Sequence, residues 1–293
     1  MVRLATYSGK EKDMKRKKSF IRNMTAAAAA LLAAVCIVCD SKYNIQLTEY
    51  RVESQKLPEE LEGFRIVHLS DLHGAELGRD NERLIELTRR QEPDLIALTG
   101  DFAENGKELS AVESLLEGIE GLAPVYYVCG NHEWAGGCVE EIRALMERHG
   151  VRWLSNQYEL LEKNGARLVV AGAEDPNGRA DMTRPRELAE RIRADYPEDF
   201  VLWLGHRNYW VQRYPELPVD LILSGHAHGG IVRLPFIGGL FNTNHGFGAE
   251  YENGLYFSGS YCMEVSRGLG NSVPVPRIFN RPELVTLVLE RAE

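Results

Sequence analysis

The sequence is poor in cysteine. Five occur in 293 residues, and the sparse, odd count excludes a disulfide scaffold. Only one apolar run approaches spanning length, which excludes a polytopic membrane protein. No internal repeat or low-complexity tract interrupts the chain, and no second linker divides it. Apolar residues are not lacking: they make up 44% of the chain beside 26% charged residues, so a disordered chain is excluded as well. Positive charge is scarce beyond the N-terminus. Residues 1–23 hold eight Lys/Arg and two acids, a net of +6, which leaves −15 on the remainder. No nucleic-acid partner is expected of so acidic a body, because phosphate neutralisation drives such binding.

What the N-terminus does hold is Lys15-Arg16-Lys17-Lys18, followed by an uncharged run from Asn23 to Cys39 with five consecutive alanines, Ala26 to Ala30. A basic region ahead of an apolar one is the layout of a signal peptide or signal anchor. The run is slightly shorter than the ~20 residues of a full span. Lys17-Lys18-Ser19-Phe20-Ile21-Arg22 resembles the twin-arginine export signal, with lysines where the arginines belong; a plain single-pass anchor is the preferred reading. The expected organisation is a basic cytoplasmic region (1–22), a signal-anchor or export segment (23–39) and one catalytic domain (45–293). The positive flank would keep that domain on the extracytoplasmic face of the membrane. Cys36 and Cys39 read as apolar filler or lipid sites.

Beyond a connector and an edge strand near 45–52, short apolar runs alternate with helical periodicity. Strands are predicted at 65–69, 94–98, 125–128, 167–171, 200–204 and 220–223, and β-type segments at 255–257 and 284–289. Helices are predicted at 81–90, 109–119, 139–149 and about 186–193. This alternation is that of an α/β sheet with helices on its faces. Ligands of such sheets bind past the carboxyl ends of the strands. There the sequence places Asp71 and His73, then Gly100-Asp101, then Gly130-Asn131-His132-Glu133, then His206, then Gly225-His226-Ala227-His228. On an extended segment, the i, i+2 spacing of Asp71/His73 and of His226/His228 sets both side chains on one side. Imidazoles, carboxylates and one amide, with no cysteine, suit Mn, Fe, Zn or Co. One ion needs about four such ligands. Seven candidates converge (Asp71, His73, Asp101, Asn131, His206, His226, His228), a surplus that two divalent ions ~3.5–4 Å apart would accommodate.

In this order, D-x-H, G-D, G-N-H-E, a lone H and G-H-x-H resemble the calcineurin-like metallophosphoesterases, from about Arg65 to the C-terminus. Gly229-Gly230, Leu234-Pro235, Val265 to Gly270, Arg277 and Pro282-Glu283-Leu284 resemble the membrane-associated bacterial branch. The resemblance implies a four-layer sandwich of two mixed β-sheets flanked by helices. It implies a first metal on Asp71, His73, Asp101 and His228, and a second on Asp101, Asn131, His206 and His226, with Asp101 bridging. A hydroxide between the metals would attack phosphorus, and His132 would serve the leaving-group oxygen as proton donor. The catalytic residues are thus His132, Asp101 and Asn131. The substrate implied is a phosphoester, a phosphodiester by preference, and the anchor points to membrane- or envelope-associated esters, lipid-linked ones included. A catalytically silent binding scaffold and a protein phosphatase are the alternatives. The family usually has proline two residues after the lone histidine; here Asn208 stands there.

Other residues read more plainly. His68 is expected in the core, His149 at a helix C-terminus, and His245 in a turn or at the substrate. Arg207 and Arg267 read equally as phosphate clamps or surface residues. Trp203, Tyr209 and Trp210 are expected in packing. Cys129, Cys138 and Cys262 are expected reduced and unpaired.

Overall fold

The computed structural model describes residues 3–106, 108–178, 184–241, 246–248 and 250–292, with side chains from residue 13 onward. His245 lies outside the described residues. A long helix α1 (Arg3–Tyr43) leads into β1 (Gln46–Ser54) and β2 (Arg65–Leu69). Then come α2 (Glu82–Arg90), β3 (Leu95–Thr99), α3 (Leu109–Ile119), β4 (Val125–Val128), α4 (Asn131–Gly136), α5 (Val139–Arg148) and β5 (Arg152–Trp153). The second half holds β6 (Gln157–Lys163), β7 (Ala166–Gly172), α6 (Pro185–Asp195), β8 (Val201–Leu204), α7 (Trp210–Arg213) and β9 (Leu221–Ser224). A small hairpin, β10 (Arg233–Leu234) and β11 (Gly238–Gly239), precedes β12 (Gly254–Phe257), β13 (Cys262–Val265) and β14 (Glu283–Arg291).

Two mixed six-stranded sheets form, in the orders β1-β14-β2-β3-β4-β5 and β12-β13-β9-β8-β7-β6. Between them lies one apolar layer, with Ile66, Ala97, Tyr126 and Leu287 facing Leu168, Leu202, Leu221 and Leu223. Outside the first sheet, α3 and α5 bury Val112, Leu115, Ile142 and Met146. Those residues recur at helical spacing, so each helix turns one apolar stripe inward. Outside the second sheet, α6 buries Leu188, Ala189 and Ile192 against Val169, Val201 and Trp203. The result is the expected four-layer sandwich. Strands covered on both faces carry nearly continuous apolar runs, as in RIVHL, where four of five residues are buried.

The connector expected after residue 40 is nearly absent. Helix α1 continues to Tyr43, and β1 begins at Gln46. The final strand enters the middle of the first sheet, parallel to β1 and antiparallel to β2, with Val285 opposite His68.

Candidate metal centre

The carboxyl ends of β2, β3 and β4 in one sheet and of β8 and β9 in the other meet at one polar cleft. The loops that leave them are not extended. Asp71, His73, Asp101, His226 and His228 all have positive φ, between 47° and 68°. The i, i+2 pairs therefore meet through left-handed kinks, which corrects the expectation of an extended segment. Such conformations cost non-glycine residues free energy and persist only where neighbours hold them. Here backbone bonds do so: Asp71 N–H donates to Gly100 O at 3.0 Å and His73 N–H to Asp101 O at 2.9 Å. Glycine supplies the room. A Cβ on Gly225 would overlap Ser70 Oγ and the Asp71 carboxylate, and one on Gly130 would overlap Asp101.

Asp71, His73, Asp101 and His228 are all buried, and each offers a ligand atom within 4.8 Å of the others. His73 Nε2 lies 3.3 Å from His228 Nε2 and 3.8 Å from Asp101 Oδ2, and His228 Nε2 lies 3.4 Å from Asp71 Oδ1. A second group joins Asp101, His206 and His226 within the same limit. His206 Nε2 is 3.1 Å from both Asp101 Oδ2 and Asn131 Oδ1. Asp101 is common to both groups. Its Oδ2 is buried with no well-directed hydrogen bond, although three histidines surround it at 3.1–3.9 Å. Converging lone pairs of this kind fit divalent cations. Outer partners set the rings: His206 Nδ1 pairs with Thr99 O at 2.7 Å, and His73 Nδ1 lies 3.2 Å from Glu104, which leaves each Nε2 directed inward.

The charges are strongly coupled. Burial alone would lower the His206 imidazole, but the adjacent Asp101 carboxylate overrides it and raises the ring to about 10. Burial would raise the Asp101 carboxyl, yet His206, His73 and His132 hold it well below its ordinary value. His226 and His228 stay well below the usual histidine range, first through burial and then through the neighbouring rings His206 and His73 respectively.

His132 sits on the first turn of α4 at the rim. Its side chain is one-third exposed, its Nε2 is 3.9 Å from Asp101 Oδ2, and its N–H donates to Asp101 Oδ1 at 2.8 Å. Asn208 replaces the usual proline and donates to Tyr251 O at 2.9 Å, which fastens the loop after His206.

Three features escaped the sequence reading. Glu133 is fully buried and accepts the N–H groups of Asp101, Phe102, Ala103 and Gly130 at 2.6–3.2 Å. It thereby ties the G-D loop to the G-N-H-E loop; its place in the latter motif was the available signal. Asp175 receives Arg207 through two bonds of 2.6 and 3.1 Å, and Arg207 Nη1 lies 3.0 Å from His226 Nε2. Arg207 thus lies inside the cleft rather than on the surface. Asn280 donates to His228 O at 2.8 Å. Arg267 is buried against Glu283 at 2.9 Å. His68 is in the core, between Glu264 at 2.5 Å and Thr99 at 2.7 Å, and bonds the two sheets together. His149 caps the end of α5. Trp203 and Trp210 are packed together, and Cys129, Cys138 and Cys262 are free and buried.

A two-sheet sandwich with this cluster at its strand ends is the architecture of a metal-dependent phosphoesterase. The chain belongs to the calcineurin-like phosphoesterase family, whose profile matches residues 64–230. It is 28% identical over 299 aligned positions to a Bacillus subtilis protein named uncharacterized metallophosphoesterase YkuE, covering 95% of this chain and 99% of that one. It is 28% identical to the Escherichia coli phosphodiesterase YaeI, covering 77% of this chain and 82% of that one. A Danio rerio transmembrane protein with metallophosphoesterase domain is 25% identical, covering 94% of this chain and 64% of that one. Helix α1 is the one helix among the described residues long and apolar enough to cross a membrane.

Proposed function

We propose that the protein is a two-metal phosphoester hydrolase, with a phosphodiester as the favoured substrate, held at the membrane by its N-terminal helix. The observation that carries this reading is Asp101, a buried carboxylate shared by two converging groups of ligand atoms. In it Asp71, His73, Asp101 and His228 would hold one divalent ion, and Asp101, Asn131, His206 and His226 would hold the other. Mn, Fe, Zn and Co all suit this nitrogen and oxygen set. Bound ions supply Lewis acidity and a water acidified toward neutral pH.

The chain's own residues do the rest. Asp101 and Asn131, side by side on the loops after β3 and β4 and each 3.1 Å from His206 Nε2, align the reacting groups. His132, at the rim, donates a proton to the leaving oxygen. Water oxygen bonds to phosphorus, the ester P–O bond breaks, and the leaving group departs as an alcohol. Residues 1–22 would remain cytoplasmic, 23–39 would lie in the membrane, and 45–293 would form the catalytic domain outside, since the basic flank orients such helices.

The test is hydrolysis of a chromogenic diester and monoester by metal-stripped full-length protein after addition of each metal. Asp101→Asn should lose both ions and all turnover. His132→Ala should keep two ions per chain while kcat falls ~10²–10⁴-fold. Full turnover by Asp101→Asn would overturn the assignment.

A further inference from the structure

The end of α1 is built into the rim of the metal centre. Asp40 receives Arg281 through two bonds of 2.7 and 2.9 Å, Ser41 is buried and accepts from Asn280 N–H, and Gln46 N–H donates to Pro282 O at 2.8 Å. Asn280 in turn holds the His228 carbonyl. A cavity of about 690 Å³ runs between the two features. Val38, Lys42 and Tyr43 of α1 line one side of it, and His73 and Arg277 line the other. The helix that would cross the bilayer is therefore also a wall of the passage to the ligand cluster.

The same rim exposes apolar side chains. Phe236 and Ile237, in the turn between β10 and β11, are largely or wholly in solvent, as are Phe279 and Val275 to about half. They are tied to the end of α1: Phe279 precedes Asn280, whose N–H donates to Ser41 Oγ, and Arg281, which pairs with Asp40. Arg233 N–H bonds Ile278 O at 3.0 Å, which seats the hairpin beside Phe279, and Phe279 is two residues from Arg281. Asp40 closes the uncharged run that begins at Asn23, so with α1 as a membrane helix the membrane–water boundary would fall at this residue. A cluster of exposed aromatic and aliphatic side chains tied to that end of the helix matches the chemistry of the lipid interface.

We infer that the body lies on the bilayer through Phe236, Ile237 and Phe279. The cavity then opens among the headgroups and takes a phosphoester whose apolar tail remains in the membrane. Lys42 and Arg277 would meet its phosphate on the way to the cluster. This rests on the phosphoesterase reading above and on α1 as a membrane helix.

The experiment uses the full chain in nanodiscs whose lipids are brominated on the acyl chain near the ester. Phe236→Trp is compared with Phe257→Trp. Phe257 is also exposed but pairs with Cys262 opposite Leu221, at the amino end of β9 and away from the cleft. The tryptophan at 236 should be quenched beyond the wild-type level, and the one at 257 should not. Absence of quenching at 236, or equal quenching at both, overturns the docking. A second measurement takes the ratio of turnover on nanodisc-borne phosphatidylglycerol to turnover on a soluble chromogenic diester. Phe236→Asp/Ile237→Asp should lower that ratio by about tenfold or more, because two apolar side chains lose their burial. An unchanged ratio, or no lipid turnover by a wild type that cleaves the soluble ester, overturns the inference alone. Loss of soluble-ester turnover with quenching intact would instead overturn the phosphoesterase reading.

Discussion

Glu133 touches none of the converging ligand atoms with its carboxylate, yet it governs where two of them stand. Its four bonds to backbone N–H groups hold the left-handed kink at Asp101 and the turn at Gly130. Burial and the Asp101 charge raise its carboxyl to about 7, against the pull of His206 and those N–H groups. Glu133→Ala would leave several buried donors unsatisfied. It should destabilise the protein by about 3 kcal/mol or more, seen as a Tm lower by roughly 6–12 °C. An unchanged Tm would mean that water replaces the carboxylate. His206 gives a pH signature. Its metal-free pKa is raised above the ordinary value, so its bond to Asp101 stabilises the fold fully below pH ~6.5 and is lost as pH rises through about 10. A metal must displace that proton. Metal affinity should therefore climb by up to about tenfold per pH unit toward pH 10, with proton release measurable by calorimetry in buffers of different ionisation enthalpy. Metal uptake without proton release at pH 8 would contradict this.

Among the elements, β14 has the widest consequence. It separates β1 from β2, and its residues from Leu284 to Leu289 are buried. The segment just before it carries Asn280, which holds the His228 carbonyl, and Arg277, which lies 3.4 Å from His228 Nδ1. The strand thus joins the core to the metal centre. Leu287→Ala should cost ~2–5 kcal/mol through the cavity it leaves. Chemical denaturation would show the loss as a lower midpoint with an unchanged slope. A loss under half a kcal/mol would mean that the inter-sheet layer closes around the deletion. The short helix α4 matters differently: it turns the G-N-H-E motif so that Asn131 faces His206 and His132 reaches the rim.

For the whole molecule, the cleft is a place where buried, converging ionisable groups accumulate, desolvated at the junction of both sheets. Two carboxylates and four histidines are drawn together at the junction of both sheets. Bound cations would offset that desolvation and hold the sheets at their shared edge. Loading at a thousandfold above Kd should contribute ~4.1 kcal/mol per ion, provided the unfolded chain does not bind it. Stripping the metal with a chelator should accordingly lower Tm, and adding back the native metal should restore it. Equal Tm values in both states would argue against ligation at these residues.

The pattern of residues alone specified an α/β sheet with helices on its faces, while the division into two sheets and four layers came from the family resemblance. Apolar runs of strand length alternating with helical stripes specify which faces must be buried, and that need is local; α3, β2 and β4 fall at the predicted residues. It also determined which polar residues cap the strands, because a strand's carboxyl end is readable once the strand is. The pairing of β14 with both β1 and β2 was not legible, since a continuous apolar LVTLVL run marks a buried strand without specifying its neighbours. Nor were the left-handed kinks at Asp71, His73, His226 and His228, which are held by partners distant in sequence: Gly100 O and Asp101 O for the first two, the Asp71 carboxylate for His226 and the Asn280 amide for His228. The placement of Arg207 beside His226 depends on Asp175, 32 residues earlier. Only the tertiary structure could decide these, because each is a balance between local strain and a partner that folding alone brings near.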